Sequence, residues 1–287
     1  MRPLVSILMP MYNAADCVGD AIRSLQAQTY TNWELIVIDD GSRDGGADIV
    51  RDFDDARLRL TVGQENRGLP ARLNQAVSLA QGAFLARMDA DDLAFPERLA
   101  EQVDFLLRYP LVDVVATDML IVDAVGQPGG REKWRGASHE EVTAKPWAGF
   151  HFNHATWMGR AGWFRRYPYR EDAVRTEDDD LMLRSYRHSR FHRMERVLYA
   201  YRVDGVTAGS AWTARRHFMR SLWRESLAQR NPRLLFGIPT QLVKSLAERG
   251  AELVGVRGWA QRHRKGAPVP EPVLERYRSL RQVLRAA

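Results

Sequence analysis

Three apolar runs in the first 92 residues each stop on polar or acidic side chains, and this recurrence constrains the fold most. "LVSILMP" (4–10) leads into Tyr12-Asn13, "ELIVIDD" (34–40) into Gly41-Ser42, and "AFLARMD" (83–89) into Ala90-Asp91-Asp92. Runs this short suit strands buried on both faces. Between them lie segments of helical period. Val18, Ile22 and Leu25 mark one over 14–28, "ADIVRDF" a second, and Leu73, Ala76, Val77 and Ala80 a third after a Gly68-Leu69-Pro70 turn. "LRLTV" (58–62) and "VDVVATDM" (112–119) read as further strands, and Pro96 opens a helix in "PERLAEQVDFLLRY". The alternation predicts an α/β layer fold with a largely parallel sheet, whose ligands bind outside the carboxyl ends of the strands.

That edge would gather Tyr12, Asp39, Asp40, Asp89, Asp91 and Asp92. Five carboxylates repel one another unless something positive sits among them. Arg87, the nearest cation, is expected on the face opposite Met88. A hard divalent ion with oxygen ligands, Mg2+ or Mn2+, satisfies the charge and usually shares its site with phosphates. Taken singly the pieces have plainer readings: Asp-Gly-Ser is turn chemistry, and Asp91 or Asp92 could be a helix-start acid. The joint occurrence on successive strand ends favours a site.

The second half is less regular. Residues 125–150 read as a loop or insert, 154–160 and 196–203 as strands, and "TEDDDLMLRSYRH" (176–188) as a helix. Thr176 with Asp179 three positions on fits a capping box, and acids in a first helical turn are stabilised by the helix dipole. Trp134, Trp147 and Trp157 fit either a sugar platform or core and loop anchors.

Composition narrows the class. Hydrophobic residues form 45% and charged residues 27% of 287 positions, as in ordinary globular chains. Cys17 is the single cysteine, so no internal disulfide forms. No apolar run approaches the ~20 residues of a membrane span, and "MRPLVSILMP" lacks a signal-peptide core. A cytoplasmic protein is expected. From Trp212 onward there are 16 Lys/Arg against 5 Asp/Glu, a net +11, which leaves −5 on the preceding residues. A basic tail of this kind suits an anionic partner.

The segments "VSILMPMYNAADCVGDAIRSLQAQTYTNWELIVIDDGSRDGG", "ENRGLPARLNQAVSLAQGAFLARMDADD", "PERLAEQ", "TEDDDLMLR" and "LYAYRV" together resemble glycosyltransferase family 2 over about the first 205 residues. The resemblance implies a GT-A (Rossmann-like) nucleotide-sugar-binding sheet flanked by helices. It also implies a divalent metal and inverting transfer of a sugar from a nucleotide-diphosphate donor. On that pattern 1–120 is the nucleotide-sugar-binding half, 121–211 the acceptor and catalytic-base half, and 212–287 a basic helical C-terminal extension. Pro10 and Tyr12 match the segment against base and ribose, and Asp40 the acceptor of a base N–H, with Asp39 near the ribose or the turn. A carboxylate acceptor suits uracil, thymine or guanine and disfavours cytosine, which lacks the ring N–H; UDP- or dTDP-sugars are expected. Gly68 and Arg72 match the stretch near the nucleotide, Arg72 facing the diphosphate or pairing with Asp40, or else a plain exposed helix arginine. Asp89-Ala90-Asp91 matches the D-x-D, with Asp91 on the Mn2+ or Mg2+ and Asp92 structural. Asp178 matches the general base, although the following position, often aromatic in the family, is Asp179 here. A helix N-terminus would lower the Asp178 pKa, and its acidic neighbours would raise it. His154 and Glu177 fall on the acceptor side, His154 equally as a hydrogen-bonded structural histidine.

Processive members usually carry Q-x-x-R-W and membrane spans, whereas the corresponding region reads "SAWTARRHFMR". One sugar per encounter is therefore expected, to a glycan, a lipid-linked glycan or a small-molecule acceptor. Helices are expected over 212–229, 239–254 and 271–285. Arg215, Arg216, Arg220 and Arg224 beside Phe218, Leu222 and Trp223 could rest on an anionic membrane surface, making the protein peripheral at the inner face. The alternative is a subdomain that packs on the fold or forms a homo-oligomer; no nucleic acid is expected. A nucleotidyltransferase would carry a Gly-rich phosphate loop after the first strand, where "PMYNAAD" stands. A non-catalytic nucleotide-sugar-binding protein would not need Asp178.

Overall fold

The computed structural model describes residues 2–131, 136–203, 208–253 and 267–286. Strands β1 (Val5–Met11), β2 (Trp33–Asp39), β3 (Leu58–Val62) and β4 (Phe84–Arg87) form a parallel block ordered β3-β2-β1-β4. Helices α1 (Ala15–Gln26), α2 (Gly46–Arg51) and α3 (Leu69–Leu79) make the crossovers. The period-2 rule sorts β1: Val5, Ile7 and Met9 pack with Val18, Ile22 and Leu25 of α1, while Leu8 meets Leu73, Ala76 and Val77 of α3. All seven β1 residues are buried, which explains its unbroken apolar sequence.

Beyond β4 the sheet departs from the expected parallel order. β8 (Met158–Arg160) lies antiparallel between β4 and β6 (Val114–Val122). β9 (Phe191–Arg202) runs parallel to β6, while the short β5 (Leu93–Ala94) pairs antiparallel with β9 and β7 (Pro128–Arg131) with β6. The sheet is therefore mixed. β8 follows a 3-10 turn over His154–Thr156 rather than a crossover helix, so nothing requires it to enter parallel. The stretch expected as a loop, 125–150, contains β7 and a short α5 (His139–Val142) with a Ser138–Glu141 capping box. Helices α4 (Arg98–Arg108) and α6 (Ala161–Arg166) cover the two faces.

The strand-rich body passes into α7 (Glu177–Ser185) and then the tail helices α8 (Ala208–Ala228), α9 (Gly237–Leu253) and α10 (Glu271–Ala286). These pack on the fold. Phe218 and Leu222 of α8 bury against Leu183 of α7 and Leu234. Tyr277, Leu280 and Leu284 of α10 cover Leu93, Phe95, Leu120 and Val122. No described helix is long and apolar enough to cross a membrane.

Candidate active site

The ends of β2, β1 and β4 lie side by side, and two loops tied to each other form their rim. The Asn13 amide donates to Ser42 Oγ at 2.8 Å, and the Arg43 amide donates to Asn13 Oδ1 at 3.0 Å. Asn13 holds φ +49, a left-handed conformation that asparagine tolerates. Pro10 is buried on β1, and Tyr12 just past it is 52% exposed, a free ring at the crevice.

Asp39 and Asp40 are both buried. Ser42 donates through its amide and hydroxyl to Asp39 Oδ1, whereas Asp39 Oδ2 is buried with no hydrogen-bond partner among the described residues. Asp40 Oδ1 accepts from the Arg67 amide at 2.8 Å and Arg72 Nε at 2.6 Å; Oδ2 accepts the Gly68 amide at 2.9 Å. With two acceptor positions per oxygen, Oδ2 keeps one place for a ligand N–H. Gly68 presents its amide at φ +86, ψ 161, a backbone region open essentially to glycine alone. Arg72 is buried and also donates to the Glu65 carbonyl at 2.6 Å. The exposed-helix reading of Arg72 is overturned, because α3 turns it inward onto a buried carboxylate.

At the third strand end, Arg87 forks onto Asp89, with Nη1 donating to Oδ2 at 2.6 Å and Nη2 lying 2.5 Å from Oδ1. Residues two apart on an extended segment share a face, so comparing Arg87 only with Met88 concealed this pair. Asp92 is buried and accepts the Arg202 amide at 2.7 Å, and the Asp89 amide donates to Tyr199 Oη at 3.1 Å. Carboxylate oxygens of Asp89, Asp91 and Asp92 lie within 4.8 Å of one another. The acidic edge is thus partly neutralised by Arg72 and Arg87. Arg87, Tyr199, Arg202 and Arg98 were not found by motif. Arg98 is fully buried 4.7 Å over the Tyr199 ring and donates to the Arg87 carbonyl at 2.6 Å.

The N-terminus of α7 brings a second acidic cluster near Arg87. Arg87 acts electrostatically on Glu177 and Asp178 as well as Asp89, which puts the two acidic clusters around one cation. Thr176 does not cap: its hydroxyl makes no cap bond and is buried without a partner among the described residues. Asp179 instead accepts the Phe150 amide at 2.9 Å, so the capping-box reading fails because its acid is engaged by the preceding loop. The opposed influences on Asp178 resolve upward: burial raises its pKa, against the α7 backbone amides and Arg87. Burial and Asp178 push Glu177 up to about 7, and burial and Asp178 push Asp179 up to about 8. Asp180 is fully buried and held by Arg184 Nε at 2.9 Å, Arg170 Nη1 at 3.2 Å and Ser221 Oγ at 2.7 Å.

His154 is buried, its Nε2 2.8 Å from Tyr169 Oη and its Nδ1 3.9 Å from Glu177 Oε1. Burial and then Arg87 hold its pKa well below the usual value, so it is neutral near pH 7. Trp157 is a core residue and so forms no platform, and Trp147 is half-buried beside the Phe218 cluster. Trp134 lies outside the described residues. In α8, Arg220 and Arg224 both lie against Asp172, at 3.1 and 2.8 Å, so the arginine and Phe218–Leu222 face expected at a membrane is already engaged.

A parallel nucleotide-binding block, an acidic strand-end cluster and a carboxylate helix facing it define a GT-A glycosyltransferase. The family described as "Glycosyl transferase family 2" matches residues 6–168. The chain belongs to that family. It is 37% identical over 209 residues, 70% of this chain and 74% of the relative, to "Putative glycosyltransferase EpsE" of Bacillus subtilis. Over 105 residues, 37% of this chain and 42% of the relative, it is 39% identical to Escherichia coli "UDP-Glc:alpha-D-GlcNAc-diphosphoundecaprenol beta-1,3-glucosyltransferase WfgD". Among solved structures, S. aureus TarS 1–349 superposes with TM-score 0.66 at 18% identity, covering 87% of this chain and 74% of that one. A mannosyltransferase from Pyrobaculum calidifontis in complex with GDP-Man and Mn2+ gives 0.60 at 20% identity, covering 100% and 86%. These likenesses establish the fold.

Proposed function

We propose that the chain transfers one sugar with inversion from a UDP- or dTDP-sugar to an acceptor hydroxyl in the synthesis of a cell-surface glycan or glycolipid. The observation that carries this reading is the cluster of Asp89, Asp91 and Asp92 at a strand end of the parallel block, with Arg87 paired to Asp89 and acting electrostatically on Glu177 and Asp178 at the start of α7. Asp178 takes the acceptor proton as the hydroxyl oxygen attacks the anomeric carbon, and the bond to the diphosphate breaks on the opposite side. Asp40 Oδ2 accepts the base N–H, and Asp39 shapes the turn beside the ribose through its bond from the Ser42 amide. A TarS structure holds UDP, which suits the uracil reading.

The donor set fits Mn2+ or Mg2+, being all oxygen and clustered. Asp91 is the residue we assign to hold it, on its place in the Asp89, Asp91 and Asp92 oxygen cluster and its match to the last acid of the D-x-D. A divalent ion there would offset charge building on the leaving diphosphate. A thermal-shift screen of UDP, dTDP and GDP with Mn2+ or Mg2+ tests the reading. At about 100 times its dissociation constant a ligand adds roughly 2.7 kcal/mol; stabilisation by none of them would sink the proposal.

The uncovered side of the tail supports an anionic membrane surface as partner. Trp223, Leu227, Phe236, Val243 and Leu246 are exposed, with Arg230, Arg233 and Lys244 exposed among them in sequence. Apolar residues interspersed with cations suit an anionic interface. On that reading the protein works in the cytoplasm against the inner membrane face. Flotation with anionic liposomes, and none with zwitterionic ones, is the expected result; no flotation with either removes the idea.

A further inference from the structure

A groove of about 790 Å3 lies between the β6–β7 turn and α10, apart from the crevice just described. One wall is backbone-rich, built from Val125 to Gly130; the other carries Arg278, Arg281 and Arg285 on α10. Among the described residues no acidic side chain lines it. The close approach of the walls depends on Gly126, which holds φ +80 and whose Cβ would lie 3.2 Å from Arg281 Nη1 and from Tyr277 Oη. Tyr277 fastens the turn by donating to the Gly126 carbonyl at 2.9 Å.

The charge of this groove is incompletely offset. Arg278 pairs with Glu271 in an exposed contact at 2.7 Å, which contributes little in water. Arg281 stands 3.6 Å from Asp20, and Arg285 pairs with no carboxylate among the described residues. Positions 278, 281 and 285 recur at helical spacing, so the three guanidinium groups line roughly 10 Å of one helix face. Planar guanidinium forks match phosphate oxygens, and a row of three exceeds what one monoanion needs. The groove also adjoins the acidic strand end: Arg202 donates from Nε to the Asp91 carbonyl at 2.9 Å and from Nη1 to the Ala124 carbonyl at 2.5 Å. One side chain therefore joins the D-x-D loop to the groove wall.

We propose that this groove binds the diphosphate group of the acceptor, a reading that rests on the proposed transferase function and names its acceptor as a glycosyl diphosphate. Three of the tail's 16 Lys/Arg then have a local use in α10. The test is isothermal titration of inorganic pyrophosphate into the full chain with EDTA, which suppresses metal-assisted binding at Asp91. Replacing Arg278, Arg281 and Arg285 together by Gln should weaken binding by about tenfold or more, and Arg285→Gln alone by roughly threefold. The UDP–Mn2+ thermal shift should not change in either variant. Equal pyrophosphate affinity in wild type and both variants overturns the proposal, as does full displacement of pyrophosphate by UDP in EDTA. Two further arms separate the sources. Release by pyrophosphate from phosphatidylcholine vesicles carrying a polyprenyl diphosphate assigns the group to a lipid-linked acceptor. Competition by a soluble glycosyl diphosphate, with no binding to those vesicles, assigns it to a soluble one. Intact groove binding without any nucleotide stabilisation would count against the transferase reading and not against the groove.

Discussion

Arg72 Nε lies 2.6 Å from Asp40 Oδ1, and both side chains are buried. The pair joins α3 to the end of β2 and fixes the carboxylate to which we assign base recognition. Arg72→Met leaves that charge buried with only amide donors. We expect a loss of about 3–5 kcal/mol in urea unfolding and a smaller thermal shift with UDP. An unchanged unfolding midpoint would mean that the pair does not hold the site.

Asp178→Asn keeps the size of the side chain and removes the proton acceptor. Transfer should fall by about 10²–10⁴-fold, with the UDP–Mn2+ thermal shift preserved. Wild-type transfer should rise with pH through the elevated Asp178 pKa, because only the ionised form accepts a proton. Turnover that survives the substitution would take Asp178 out of the base role.

Asp179 makes stability depend on pH in a direction opposite to an ion-paired acid. Its pKa is raised to about 8 in the fold, against an ordinary 3.8, by burial and by Asp178, with Glu177 and Asp180 adding to the effect and the Phe150 amide opposing it. The folded state therefore binds more protons than the unfolded chain between those values. Its contribution is fully present below about pH 4 and is lost as pH rises through about 8. Asp179→Asn retains an acceptor for the Phe150 amide, so it should flatten the fall in unfolding free energy between pH 5 and 8. A slope identical to wild type would show that Asp179 does not titrate in that window.

Ser221 donates to Asp180 from α8 across to α7 at 2.7 Å. Ser221→Ala should cost about 1 kcal/mol, whereas Asp180→Ala, which takes the carboxylate from Arg184 and leaves Arg170 only its Glu225 partner, should cost about 3 kcal/mol. Urea denaturation of both variants checks the ratio; equal costs would indicate that the arginines find other partners.

The parallel half of the fold was legible because β1, β2 and β4 are buried on both faces and their crossover helices carry clear periods. The antiparallel entry of β8 was not, since its three paired residues are too few to show direction. Asp39, Asp40 and the Asp89–Asp91 motif were legible as strand ends. Arg87 was missed through comparison with its neighbour rather than with the residue two positions on. The capping pattern at Thr176 was present in the letters, but the Phe150 amide, 29 residues distant in the chain, takes the Asp179 carboxylate. The tail showed its charge in sequence and concealed its packing, because Phe218 and Leu222 look alike on a free or a docked helix.

The mooring of Asp180 to α8 has a consequence for how the molecule divides. The family-matched span ends at residue 168, ahead of both α7 and its anchor Ser221. Asp39, Asp40 and the D-x-D aspartates lie inside that span, while the assigned proton acceptor lies beyond it. On these assignments a seam separates recognition of the donor from activation of the acceptor. Substitutions beyond residue 168 can then retune the chemistry through the pose of one helix while the nucleotide floor stays as it is.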